Sequence, residues 1–126
     1  MEILGLGTDI VEISRIEKML SGYPERFEKR ICTPDELVIA GTKRGRITFL
    51  AGRWAAKEAA AKALGCGIGR NCAFTDINII NDAAGKPVMH FTGAALATAE
   101  LAGVKQLQIS ISHEANYAVA TVILCG

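Results

Sequence analysis

The chain has 126 residues, a net charge of +1 and an even balance of 14 basic against 13 acidic side chains. That length fits one domain spanning residues 1–126, and the small net charge argues against a nucleic-acid partner, which would select a more basic surface. No apolar run approaches about 18 residues and no signal-like segment opens the chain, so no membrane span is expected and the cytoplasm is the expected compartment.

From the N-terminus, EILGLGTDIVEI reads as a short strand around Ile3, Leu4 and Leu6, with Asp9 at its end and glycines that permit close backbone approach. From about Val11 the spacing turns helical, with Ile13, Ile16, Met19 and Leu20 on one stripe up to Ser21-Gly22. In TPDE, Thr33 as N-cap, Pro34 at N1 and Glu36 at N3 form a capping box that starts a helix ending near Gly41. A basic loop, Thr42 to Arg46, leads into FLAGRWAAKEAAAKALG, residues 49–65. Strong helix formers make this one long helix with Gly65 at its C-cap. Beyond it, Phe74 to Ile80 reads as a strand, residues 81–87 as a turn and Val88 to Phe91 as the return strand of a hairpin. An Ala-rich helix over Gly93–Ala102 follows. QLQISISHE then alternates at period two, with Leu107, Ile109 and Ile111 on one side, and Tyr117 to Leu124 is a last strand. The order predicts an α+β fold, a mainly antiparallel sheet packed against one long helix and shorter helices.

Four residue sets could carry chemistry. Asp9 and Glu58 are a candidate carboxylate pair for a hard divalent ion; equally, Asp9 could cap a helix and Glu58 could pair with Lys62, four residues on and on the same helix face. Lys43, Arg44, Arg46, Arg53, Lys57 and Lys62 are either a phosphate-binding face or a solvated surface, and Arg53 and Lys57 lie on a different face from Lys62. The glycine run 65–69 follows a helix instead of opening one, which excludes a dinucleotide loop. His113 ends a strand beside a turn, suited to a phosphate contact or to solvent, and His90 reads as structural. Cys32, Cys66, Cys72 and Cys125 have no zinc-like spacing and are expected as reduced thiols.

Together, GLGTDIVEISRIE, FEKRICTPDEL, FLAGRWAAKEAAAKALG and SISHEANYAVATVIL make the chain resemble the holo-[acyl-carrier-protein] synthases, the small single-domain 4′-phosphopantetheinyl transferases. The order and spacing of all four segments agree. Trp54 stands where Phe is common and Cys66 where Thr is frequent. The resemblance implies transfer of the phosphopantetheine arm of coenzyme A to a serine of apo-acyl carrier protein, releasing adenosine 3′,5′-bisphosphate, in fatty acid biosynthesis. It implies Mg²⁺ held by Asp9 and Glu58, with Asp9, Glu58 and Lys62 catalytic. Arg53, Lys62, Lys86, Pro87 and His113 would hold coenzyme A. Arg15, Met19 and Arg26 would dock the carrier. A homotrimer would form the site between subunits, with His113 supplied by a neighbour. Either Glu58 or a metal-bound water would take the serine proton. A metal-independent thioesterase-like enzyme and a non-catalytic carrier-binding scaffold are the competing classes, separated by magnesium dependence and by the effect of Glu58→Ala.

Overall fold

The computed structural model describes residues 1–42 and 45–126, which leaves Lys43 and Arg44 of the basic loop outside the described residues. Strand β1 runs Ile3–Glu12 and helix α1 Ile13–Gly22; α2 is Pro24–Ile31, α3 Pro34–Thr42 and α4 Arg46–Ala63. A single 3₁₀ turn at Phe74–Asp76 leads into β2, Ile77–Asn81. Then come β3, Pro87–Phe91, α5, Gly93–Leu101, β4, Gln106–His113, and β5, Tyr117–Cys125. β1, β5 and β4 form one antiparallel sheet in that order, and β2–β3 is a separate antiparallel hairpin. This is the expected α+β arrangement.

Several elements differ from the sequence reading: α2 is an additional helix, α4 begins at Arg46 and β3 at Pro87, and two further differences have direct physical causes. β1 continues to Glu12 because β5 keeps pairing with it, Val11 opposite Ala118 and Glu12 opposite Tyr117. Asp9 is therefore inside the strand, opposite Ala120, and not at its end. Phe74 lies in the 3₁₀ turn and not in a strand: the Asp76 carboxylate accepts the Ala73 N–H at 3.1 Å and the Ala95 N–H at 3.3 Å, which curls the chain before β2 begins.

The long helix is the organising element. Gly45, at φ 63°, precedes it, so α4 starts three residues before Phe49. It ends in a Schellman motif. Gly65, at φ 81°, donates to the Lys62 carbonyl at 2.9 Å, and Cys66 donates to the Ala61 carbonyl at 3.2 Å. Between these ends Leu50 and the alanines at 51, 55, 56, 59, 60 and 61 are fully buried. Small side chains let the helix be covered on several sides at once. Trp54 stacks between Phe27 and Phe74, at centroid distances of 6.1 and 4.9 Å.

On the sheet, side chains alternate between two faces. Leu107, Ile109 and Ile111 of β4 and Ala118, Ala120, Val122 and Leu124 of β5 share the face on α4, in register with Gly5, Gly7 and Asp9 of β1. The opposite face carries Leu6, Ile10 and Tyr117, with Leu6 and Ile10 66% and 64% exposed.

Candidate active site

Gly5 and Gly7 put β1 directly against the backbone of α4. A Cβ on Gly7 would lie 1.9 Å from the Ala59 carbonyl oxygen, and one on Gly5 2.2 Å from that of Ala63. Only glycine fits at either place. The next residue on the same face is Asp9, so this contact carries its carboxylate to the exposed flank of α4, where Glu58 and Lys62 project. Lys62 Nζ donates to Asp9 Oδ1 at 2.9 Å and to the Thr8 carbonyl at 3.1 Å. The anticipated Glu58–Lys62 surface pair is therefore replaced by an Asp9–Lys62 pair across two elements. Asp9 does not cap α1, whose N-cap is Glu12.

Glu58 accepts no hydrogen bond from the protein among the described residues. Partial burial, and then the neighbouring Asp9 charge, hold its carboxyl above the ordinary carboxylate range, against the opposing pull of Lys62 and Arg15. Two adjacent carboxylates, one without a protein partner, are a donor set that suits a hard divalent cation. No cluster of three or more His, Cys, Asp or Glu occurs among the described residues. A cation here would thus complete its shell with substrate oxygens and water.

A second feature lies on the other side of α4. Phe49, Gly52, Arg53, Ile111 and His113 line a cavity of about 340 Å³. Arg53 is nine residues from Lys62, two and a half turns, which places the two on opposite sides of the helix. The Arg53 guanidinium lies 4.4 Å from the Phe49 ring centre and donates to the Ile79 carbonyl and to Asn81 Oδ1. Its buried Nε has no hydrogen-bond partner among the described residues. Asn81 pairs with Pro87 across the hairpin, so Arg53 is tied to the turn that carries Lys86. Lys86 Nζ reaches Gln108 of β4 at 3.5 Å.

The profile of the 4′-phosphopantetheinyl transferase superfamily matches residues 5–122. The holo-[acyl-carrier-protein] synthase of Vibrio campbellii is 50% identical over 98% of both chains. The fold superposes on the holo-[acyl-carrier-protein] synthase of Neisseria meningitidis with a TM-score of 0.93, 37% identity and coverage of 99% of this chain and all of that one. A synthase from Bacillus anthracis, solved in complex with coenzyme A (3′,5′-ADP), gives 0.82 and 41%, covering 97% of this chain and 96% of that one. The chain belongs to the 4′-phosphopantetheinyl transferase superfamily. The resemblance read from its four segments holds over nearly its whole length.

Within this transferase, the residues singled out from sequence fall into three places. Asp9, Glu58 and Lys62 meet at the β1–α4 contact. Arg53 and His113 share the cavity on the far side of α4; Lys86 and Pro87 line a separate groove with Leu107, Gln108 and Ile109, linked to Arg53 through Asn81. Arg15 lies over the Trp54 ring, 5.9 Å from its centre, close enough to Glu58 to act on its charge. Lys18 and Tyr117 line one groove with Arg15. Met19 is half-buried against the core and Arg26 covers Tyr23.

Lys57 and Arg53 are not on a solvated surface. Lys57 is fully buried, and its Nζ donates to the Ile31 carbonyl, to Glu36 Oε1 and to the Phe74 carbonyl, at 2.6, 2.6 and 3.0 Å. Glu36 accepts the Thr33 N–H, as the capping box requires, and also the Ile79 N–H, both at 2.8 Å. Sequence reading missed this hub. Its signal was a lysine flanked by Ala55, Ala56, Ala59, Ala60 and Ala61, a setting with no room for solvent.

Proposed function

We infer that this chain moves the 4′-phosphopantetheine group of coenzyme A onto a serine hydroxyl of an apo-acyl carrier protein, with release of adenosine 3′,5′-bisphosphate. The observation that carries this reading is the meeting of Asp9, Glu58 and Lys62 at the β1–α4 contact in a member of this family. The serine oxygen forms a bond to the phosphorus of the pantetheine phosphate as the pyrophosphate bridge to the nucleotide breaks. Such a reaction depends on positioning and charge neutralisation more than on covalent help.

In this reading Asp9 and Glu58 hold Mg²⁺, which when bound supplies charge neutralisation at the pyrophosphate. Lys62 offsets the charge that builds on the phosphate oxygens or on the leaving nucleotide. The serine proton would pass to Glu58, the carboxylate there that accepts no hydrogen bond from the protein among the described residues, or to a water at the same site. The Arg53–His113 cavity and the Lys86–Pro87 turn take the nucleotide end of coenzyme A. Arg15, beside Glu58, meets the acidic carrier, and Arg26 extends the basic face; Met19, half-buried, offers it only an edge.

Two features support a homotrimer with shared sites. The outer sheet face exposes Leu6 and Ile10, apolar surface that a subunit contact would cover. The Arg53–His113 cavity and the Asp9–Glu58 pair lie on opposite sides of one helix, so a small ligand reaches both only across a subunit boundary. As a single-domain enzyme supplying holo-carrier for fatty acid biosynthesis, it would work in the cytoplasm. Among the described residues no helix is long and apolar enough to cross a membrane.

The test is mass spectrometry of an apo-acyl carrier protein incubated with the chain and coenzyme A, with magnesium or with chelator. A gain of one phosphopantetheine seen only with metal, and lost in Asp9→Asn and Glu58→Gln, supports the reading. No gain on any of several carriers overturns it. Hydrolysis of acyl-coenzyme A without metal would favour a thioesterase instead.

A further inference from the structure

The Asp9 carboxylate is already neutralised by a protein cation. Lys62 Nζ sits 2.9 Å from Asp9 Oδ1 and is steadied by the Thr8 carbonyl at 3.1 Å. Asp9 is the more buried partner and the lysine is half exposed, with side-chain exposures of 15% and 50%. Glu58, close by, has no such partner among the described residues. With Glu58 ionised, the trio carries one net negative charge; with a divalent cation added it carries one net positive charge, suited to a pyrophosphate. An ammonium in contact with Asp9 and a divalent cation on the same carboxylate repel strongly at such distances. The lysine end is the one that can yield, because it is exposed and held by a flexible stem.

We propose that Lys62 is the built-in counter-ion of the cation site, that a divalent cation displaces it from Asp9, and that this displacement is what frees its ammonium for the phosphate. The inference rests on Asp9 and Glu58 being the cation site and adds a second role to Lys62. In the cation-free protein the lysine keeps two carboxylates from facing each other uncompensated. Once displaced, it lies at the edge of the site with its donors free. Cation loading and lysine availability are then one event, and the lysine weakens the affinity for the cation it later works beside.

The experiment is Mn²⁺ titration of the full chain, without coenzyme A, followed by electron paramagnetic resonance of the free ion. Lys62→Met is expected to bind Mn²⁺ about two- to fivefold more tightly than the unsubstituted chain, the range expected for removing one partly exposed ion pair. Lys62→Arg, which keeps the cation, is expected to show no such gain. The gain is expected to persist at about 0.5 M KCl, where repulsion acting only at a distance is largely screened. A second readout is reductive methylation of Lys62 followed by mass spectrometry, with exposed Lys105 as the internal reference. Mn²⁺ should speed labelling of Lys62 relative to Lys105. Equal or weaker Mn²⁺ binding by Lys62→Met, a gain that vanishes in salt, or Lys62 labelling indifferent to Mn²⁺ would each overturn the inference while leaving the cation site intact. Absence of Mn²⁺ binding in every form, with Asp9→Asn no different, would remove the cation site itself and the inference with it.

Discussion

Gly7 lies so close to Ala59 that a Cβ on the glycine would stand 1.9 Å from the alanine's carbonyl oxygen. The position of Asp9, two residues along the same face, depends on this contact. Gly7→Ala should push β1 off α4 or force the helix to yield, a change that costs about 1–3 kcal/mol or more in a packed interior. Because a misplacement of about 1 Å can lower a rate by about 100-fold, transfer should fall by at least that factor even where the variant folds. Thermal melts and single-turnover transfer measured on the same samples check this. A variant that melts near the parent temperature with full activity would show that the close approach is not needed.

Lys62→Met should lower kcat for transfer by about 10²–10³-fold, the loss typical of removing one preorganised electrostatic partner of a developing charge. The KM for the carrier should change little, since Lys62 is not on the carrier-docking face. Arg15→Ala should do the reverse, raising that KM with a smaller effect on kcat. Steady-state kinetics with carrier as the varied substrate separate the two patterns.

The Lys57–Glu36 pair is a structural hub and a severe one to break. Lys57→Met leaves the Glu36 carboxylate buried without its cation and should cost about 3–5 kcal/mol. Glu36→Gln should be costly too, because it strands the buried ammonium. The double variant should be less destabilised than the sum of the singles, as expected for residues in direct contact. Urea unfolding of all four proteins closes this cycle.

Alkaline pH should destabilise the fold through two buried thiols. Burial pushes the Cys32 thiol up to about 11 and the Cys72 thiol up to about 12, from 9.0. Above about pH 9 the unfolded chain loses these protons while the folded chain keeps them. The stability present below that pH is therefore progressively lost as pH climbs toward 11–12. Melting temperature should decline over that window. Iodoacetamide at pH 8 should label half-buried Cys66 while Cys32 and Cys72 stay unmodified until the chain unfolds.

The elements and the site were legible in the sequence to different depths. Strong local signals carried through: the TPDE capping box forms with both of its hydrogen bonds, Gly65 caps α4, and the period-two pattern of β4 sets Leu107, Ile109 and Ile111 against the helix. Local pattern did not report what distant partners impose. β5 holds β1 extended through Glu12, where the Val11–Leu20 spacing alone reads as helix. The Asp76 carboxylate turns Phe74 out of a strand. Lys57 and Arg53 sit in a helix whose charges look solvated, yet the hairpin and α3 bury both. The partner of Lys62 was misread for the same reason. Helix spacing offers Glu58, but the glycine-mediated approach of β1 brings Asp9 closer.

Charge placed on the outer sheet face tests the proposed assembly. Ile10→Lys puts an ammonium in a face that a homotrimer would bury, so the chain should run as a monomer in light scattering and lose transfer. Mixing Asp9→Asn with His113→Ala should restore part of the activity, because a shared site can draw its intact halves from different subunits. Failure to complement in a mixed trimer would place each whole site within one subunit.

A divalent cation held between β1 and α4 is the centre of the proposed chemistry. Crystals soaked with Mn²⁺ and coenzyme A should show an anomalous peak within about 2.5 Å of carboxylate oxygens of both Asp9 and Glu58, with Lys62 turned from Asp9 toward the pyrophosphate. An active protein whose anomalous peak lies elsewhere, with Lys62 still on Asp9, would contradict it.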